Sequence, residues 1–96
     1  MEPVTPTAGL ASQCPAVPGN PINALSPGLT GGYIYNPNDA PGFLYVDPTG
    51  PASTVANGTS MALAPGQAFY AIPASTIPVS VASNIASHYF VSVQWI

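Results

Sequence analysis

Thirteen prolines run from Pro3 to Pro78, and they decide most of what this chain can fold into. Proline has no amide hydrogen to give a helix, and its ring clashes with the carbonyl four residues back. No amphipathic helix fits between prolines so evenly spread. The stretch after Pro78 is instead rich in β-branched residues, with Val79, Val81, Ile85, Val91 and Val93, which suit a pleated surface.

From Gly31 onward the pattern is short strands between turn signals. Tyr33 to Tyr35 lies between a Gly-Gly pair and "NPND". Phe43 to Val46 lies between Pro41-Gly42 and "DPTGP". Ser60 to Leu63 follows the turn at Asn57-Gly58, and Gln67 to Ile72 follows "APG". Ile77 to Ala82 alternates, with Pro78 placing it at a sheet edge or a bulge. Ser87 to Ile96 alternates again: Tyr89, Val91, Val93 and Trp95 share one face, and His88, Phe90, Ser92, Gln94 and Ile96 share the other. That strand is apolar on both faces near its end, so it lies centrally or packs its second face on something else. Closely spaced strands with strong turns predict an all-β fold, a small antiparallel β-sandwich or barrel.

Residues 1–30 read differently. They are rich in Pro, Gly, Ser and Thr and contain no aromatic residue. Their apolar residues are isolated, and neither a period of two nor of 3.6 is sustained. The expectation is an extended Pro-rich N-terminal arm over 1–30, joined to a β-sandwich domain over 31–96. Single apolar residues along an arm suit docking on another surface, which makes Val4, Leu10, Val17 and Ile22 candidate contacts. In the domain the candidates for core or subunit contacts are Tyr89, Phe90, Trp95 and Ile96.

Charge is the second constraint. Charged residues make up 3% of the chain, against about 25% in ordinary soluble domains. There is no Lys or Arg; the acids are Glu2, Asp39 and Asp47. Nucleic-acid binding needs a cationic footprint, and so does attraction to an anionic membrane surface, so neither partner is expected. A net charge of −3 gives thin protection against self-association. An uncharged polar and apolar surface suits a protein soon covered by neighbours, and a homo-oligomer is expected. The first residues lack a basic region, and Pro3 and Pro6 interrupt any apolar run, so no secretory leader is expected.

Chemistry is hard to place on these residues. Glycosidase or aspartic-protease work needs a carboxylate pair, and Asp39 and Asp47 both sit in turn sequences, where Asp bonds to nearby backbone. Cys14 is the single cysteine and His88 the single histidine. One of each, far apart in the chain, makes no metal site, and no flanking motif supports a nucleophile pair. Cys14 reads as a small buried thiol and His88 as a polar residue on the outward face of the last strand. No catalytic residue, cofactor or metal is expected. Tyr33 and Tyr35 leave a sugar-binding groove as an alternative use of the aromatic residues.

The order of features carries a resemblance. "YIYNP" (33–37) is followed by "GFLYVDPTGPAS" (42–53), "NGTSMALAPGQAF" (57–69), "IPVSVAS" (77–83) and a closing "HYFVSVQW" (88–95). This resembles small β-sandwich virion proteins of tailed bacteriophages. It covers residues 33 to 95 and leaves the arm outside the match. The resemblance implies a building part of a particle, made in the host cytoplasm, with no catalytic residues to carry over. A capsid decoration or cementing protein on the major capsid protein lattice is the first expectation. A neck, tail or fibre-attachment component is the second, and a carbohydrate-binding sandwich comes from a different class.

Overall fold

The computed structural model describes residues 6–27, 31–55, 58–70 and 77–95. Among them eight strands occur: β1 (Pro6–Ala8), β2 (Ile22–Leu25), β3 (Gly31–Tyr35), β4 (Leu44–Asp47), β5 (Met61–Leu63), β6 (Ala68–Tyr70), β7 (Val79–Ala82) and β8 (Val91–Trp95). They form two antiparallel four-stranded sheets, ordered β1-β8-β3-β6 and β2-β7-β4-β5. The fold is all-β, as the prolines and turn signals predict.

The core lies between the sheets. Ile34 and Phe90 come from the first sheet and its flank. Leu25, Leu44, Val46, Leu63, Val79 and Val81 come from the second, and Cys14 joins them. Alternation is clearest in β3 of the first sheet. In β3 Gly32 and Ile34 are buried while Gly31, Tyr33 and Tyr35 are half-exposed. In the second sheet β7 is buried at all four positions. It lies between β2 and β4, so both its edges are paired.

Two expectations about strand position are settled here. β8 is central, between β1 and β3, so both its edges are paired; its inward face meets the core, while its other face, with Val91 exposed, is turned to solvent. Of the two positions expected for Pro78, edge or bulge, the edge is ruled out, since β7 begins one residue after the proline and is central. The register of β2 against β7 shifts between Asn23 and Leu25, opposite Ser80 and Val79. The imide nitrogen sits just before the ladder, where no hydrogen bond is lost.

The expected boundary at residue 30 does not separate two bodies among the described residues. The chain from 6 to 27 is extended, but it lies on the domain's own sheets. β1 pairs with β8, with Thr7 opposite Gln94, and β2 pairs with β7, with Ile22 opposite Val81. Between them the chain crosses from one sheet to the other at Gly9. The Gly9 amide donates to the Ser92 carbonyl and the next amide, Leu10, to the Ala24 carbonyl. A side chain at residue 9 would stand 2.5 Å from the Ala24 carbonyl oxygen, so only glycine lets the backbones approach this closely. Further along, Gln13 bridges to Tyr89, and the Cys14 amide donates to the His88 carbonyl at 2.8 Å. The first thirty residues thus supply both outer strands that flank β8 and β7.

Candidate functional site

The first sheet presents an outward face built by register. Tyr33 stands opposite Tyr70 on one side and Val93 on the other; Tyr35 stands opposite Ala68 and Val91; Gly31 stands opposite Trp95. Because Ile34 is buried, all these residues share the other, solvent-facing side of the sheet. The Tyr33 ring lies 6.2 Å from Tyr70 and 5.8 Å from Trp95, tilted at 49° and 51°. The three rings interlock at angles, so they form a ridge and not the flat platform on which a sugar ring stacks. Among the described residues no charged side chain belongs to these strands' outward positions. Tyr70, Tyr89 and Val91 are its most exposed large side chains.

The sequence candidates fall into three groups. Phe90 is a core residue, and Ile22 in β2 packs against the same core. Tyr89 and Trp95 belong to the outward face, Tyr89 largely exposed and Trp95 half-buried beside Tyr33. Leu10 and Val17 are exposed, away from any core. Val4 and Ile96 lie outside the described residues.

At the end of the sandwich where β3 stops and β8 begins, a buried polar hub ties four chain segments together. Asn36, His88 and Ser83 are 0%, 2% and 2% exposed. The Asn36 side-chain amide donates to the carbonyls of Gly42 and Leu63, both at 2.9 Å. Its hydrogens are then used, so its Oδ1 accepts from His88 Nε2 at 2.8 Å. That places the imidazole proton on Nε2 and leaves Nδ1 to accept from the Ser83 hydroxyl, also at 2.8 Å. Ser83 Oγ in turn accepts from the Ile85 amide at 3.0 Å. Among the described residues no buried side-chain polar atom lacks a partner. His88 is therefore not on an outward face as its strand parity suggests; it shares the inward side with Phe90 and Ser92, where polar partners replace water.

The order Ser83, His88, Asn36 mimics a nucleophile, a base and an orienting group. The arrangement holds loops instead. The Ser83 hydroxyl is buried and committed at both ends, so no reacting atom can approach it. Among the described residues no three His, Cys, Asp or Glu side chains cluster as metal ligands. Cys14 is buried, and burial pushes its thiol up to about 11, which leaves it almost wholly protonated and unreactive near neutral pH.

Asp47 is a turn residue, as its "DPTG" context predicts, yet it is only 1% exposed. Its Oδ1 accepts from the Thr49 amide at 2.8 Å and hydroxyl at 2.7 Å; its Oδ2 accepts from Thr59 at 2.6 Å and Ser60 at 3.0 Å. Burial alone would raise this carboxyl. The bonds from Thr59, Thr49 and Ser60 outweigh it and hold the group well below the ordinary carboxylate range. In a chain without a cationic residue, hydroxyls and amides do the work of a counter-ion.

The hub and Asp47 together set the acid response. Burial lowers the His88 pKa from its ordinary value. A lowered histidine takes up its proton in the unfolded chain first, so stability is complete above about pH 6.5 and falls as pH drops below it. The depressed Asp47 adds a second loss below about pH 4, where the unfolded carboxylate protonates and the folded one does not. Urea denaturation from pH 8 to 3 should show both limbs, each with a slope up to about 1.4 kcal/mol per pH unit. His88→Gln should remove the upper limb and keep the lower one; an unchanged profile in that variant would refute the assignment.

No family model matches the chain, and neither a curated protein nor a solved structure does.

Proposed function

We propose that this chain is a non-enzymatic assembly protein, and specifically a structural protein of a tailed-phage virion that decorates the capsid by docking on its major coat protein. One observation carries the reading: an aromatic, wholly uncharged sheet face made by Tyr33, Tyr35, Tyr70, Val91, Val93 and Trp95. Aromatic residues are enriched and charged ones depleted at the centre of protein interfaces. A face of this kind is a hazard on a free monomer and useful in a lattice, where weak contacts repeat by symmetry. Contacts without ion pairs also persist across changes in salt.

Leu10 and Val17, exposed on the chain that crosses between the sheets, offer further apolar contact away from that face. They keep the docking role expected of the first thirty residues even though that segment is built into the sandwich.

The test is the copy number of the chain in purified particles, by quantitative mass spectrometry. Trypsin has no Lys or Arg to cut after, so chymotrypsin is the protease to use. A number near that of the coat protein is expected. A small ring number moves the chain to the neck or tail, and absence from particles overturns the reading.

A further inference from the structure

The outward sheet face runs into a cleft of about 250 Å³ at the hub end of the sandwich. One wall is Pro37, Asp39, Ala40 and Pro41; the other is Ile85 to Tyr89. We propose that this cleft seats a single arginine side chain of the partner protein. The inference rests on the docking reading above and adds the chemistry by which the partner is recognised.

The charge distribution points to a cation. Of the two described acids, Asp47 is buried and saturated by its hydrogen bonds, while Asp39 is exposed. Asp39 is thus the single formal charge on the described surface, and it is set among apolar walls. Among the described residues no hydrogen bond or ion pair engages its carboxylate. The cation cannot come from a side chain of this protein. There is no Lys or Arg, and the only imidazole is buried with both nitrogens bonded. A second copy of the chain therefore offers no basic side chain, so a basic side chain seated here belongs to a different protein.

The walls specify which cation. Pro37, Pro41 and Ile85 offer a surface for an aliphatic stem. Tyr89 is exposed and offers an aromatic face to a guanidinium, which is planar, weakly hydrated and able to meet a carboxylate with two N–H groups. A lysine ammonium is more strongly hydrated and lacks the flat faces. The volume lies below the roughly 300–1,000 Å³ of pockets for drug-sized ligands, which suits one side chain.

The cleft is also built in advance. The Asn36 amide closes the 36–42 loop on the Gly42 carbonyl, and the Ser83 hydroxyl holds the Ile85 amide and His88. The Asn36–His88 bond then ties one wall to the other. Between Ala86 and His88 the backbone turns through Ser87 in the left-handed region, φ 55°, a conformation that a non-glycine residue adopts when its surroundings enforce it. Preformed walls reduce the ordering cost of binding.

The experiment is an NMR titration of the isotope-labelled full chain with the capped peptide acetyl-Gly-Arg-Gly-amide, with citrulline and lysine peptides alongside. Expected are shifts at the amides of Ala40, Ile85 and Tyr89, weaker binding at higher salt, and none with citrulline. Asp39→Asn, which breaks no internal bond, should weaken the arginine peptide about fivefold. No shift at those amides at the highest soluble concentration overturns the proposal. So do equal shifts with citrulline, or lysine binding as tightly as arginine. The two readings fail separately: arginine binding by a parent chain that is absent from particles leaves the cleft standing and removes the docking reading, whereas no arginine binding by a chain that still joins particles, and loses them on Tyr70→Glu, removes the cleft alone.

Discussion

Replacing Asn36 by leucine is expected to cost the fold about 3–5 kcal/mol. Leucine has as many side-chain heavy atoms as asparagine, branched likewise at Cγ, and is the bulkier of the two, so the substitution opens no cavity and the loss is of polar partners. Three groups lose their partner at once: the buried Leu63 carbonyl and Nε2 proton of His88, and the part-buried Gly42 carbonyl. Leaving a buried donor or acceptor unpaired costs about 1–3 kcal/mol each. The backbone bonds of Asn36 are untouched: its amide to the Gln67 carbonyl and its carbonyl from the Gly66 amide. Against a typical total of about 5–15 kcal/mol, the change removes a large share of the stability. For a domain of this size the midpoint should fall by about 15–30 °C. Thermal and urea unfolding followed by circular dichroism measure it, with Asn84→Leu as an exposed control expected to stay within about 0.5 kcal/mol. A loss under about 1 kcal/mol for Asn36→Leu would mean that water reaches these groups and that the hub does not close the end of the sandwich.

Asn36 is also where reading the sequence falls short. "NPND" is legible as a turn, because Asn before Pro favours one. Nothing in four residues says that the first side chain will turn inward and bond to partners 6, 27 and 52 positions away. His88 is the other half of the same problem. Alternation correctly sorts Tyr89, Val91, Val93 and Trp95 from His88, Phe90 and Ser92, but a histidine in the second set biases the choice toward solvent. Phe90 was the better guide to which side is core. Once that face is inward, a histidine there needs two polar partners, and only the fold supplies them.

The strands after Gly31 were legible because turns and alternation agree there. The two before it were not, for different reasons. β1 is an edge strand of three residues starting on a proline, with Thr7 and Ala8 exposed, so backbone pairing holds it and its side chains carry no pattern. β2 has a bulge between Asn23 and Leu25, which puts Ala24 and Leu25 both in the core. A bulge breaks the period of two, and that period is the only strand signal a short segment has. The aromatic ridge is partly legible: strand alternation singles out Tyr89 and Trp95, while the neighbours that complete it, Tyr33 and Tyr70, depend on the β3 register with β8 and β6.

That register also says where a single charge should do most harm to assembly. Tyr70 is 74% exposed on β6, an edge strand, and its ring meets Tyr33. Tyr70→Glu should leave the free chain folded, with stability within about 0.5 kcal/mol of the parent, because nothing buried is lost. Binding to particles should weaken by a factor of about 30 or more. Truncating a tyrosine that acts as an interface hot spot costs at least about 2 kcal/mol, and the glutamate must also shed water against an apolar surface. Val55→Glu is the matched control. It is 73% exposed, in the loop after β4 of the other sheet, and it adds the same charge. Net charge and solubility change alike in the two variants, so only position differs. Co-sedimentation of each purified variant with particles stripped of the native chain reads the result. Loss with Tyr70→Glu and retention with Val55→Glu identifies the ridge as the docking face. Equal loss would assign the effect to net charge, and equal retention would move the contact to the exposed crossing segment at Leu10 and Val17, where the same experiment with Leu10→Glu decides it.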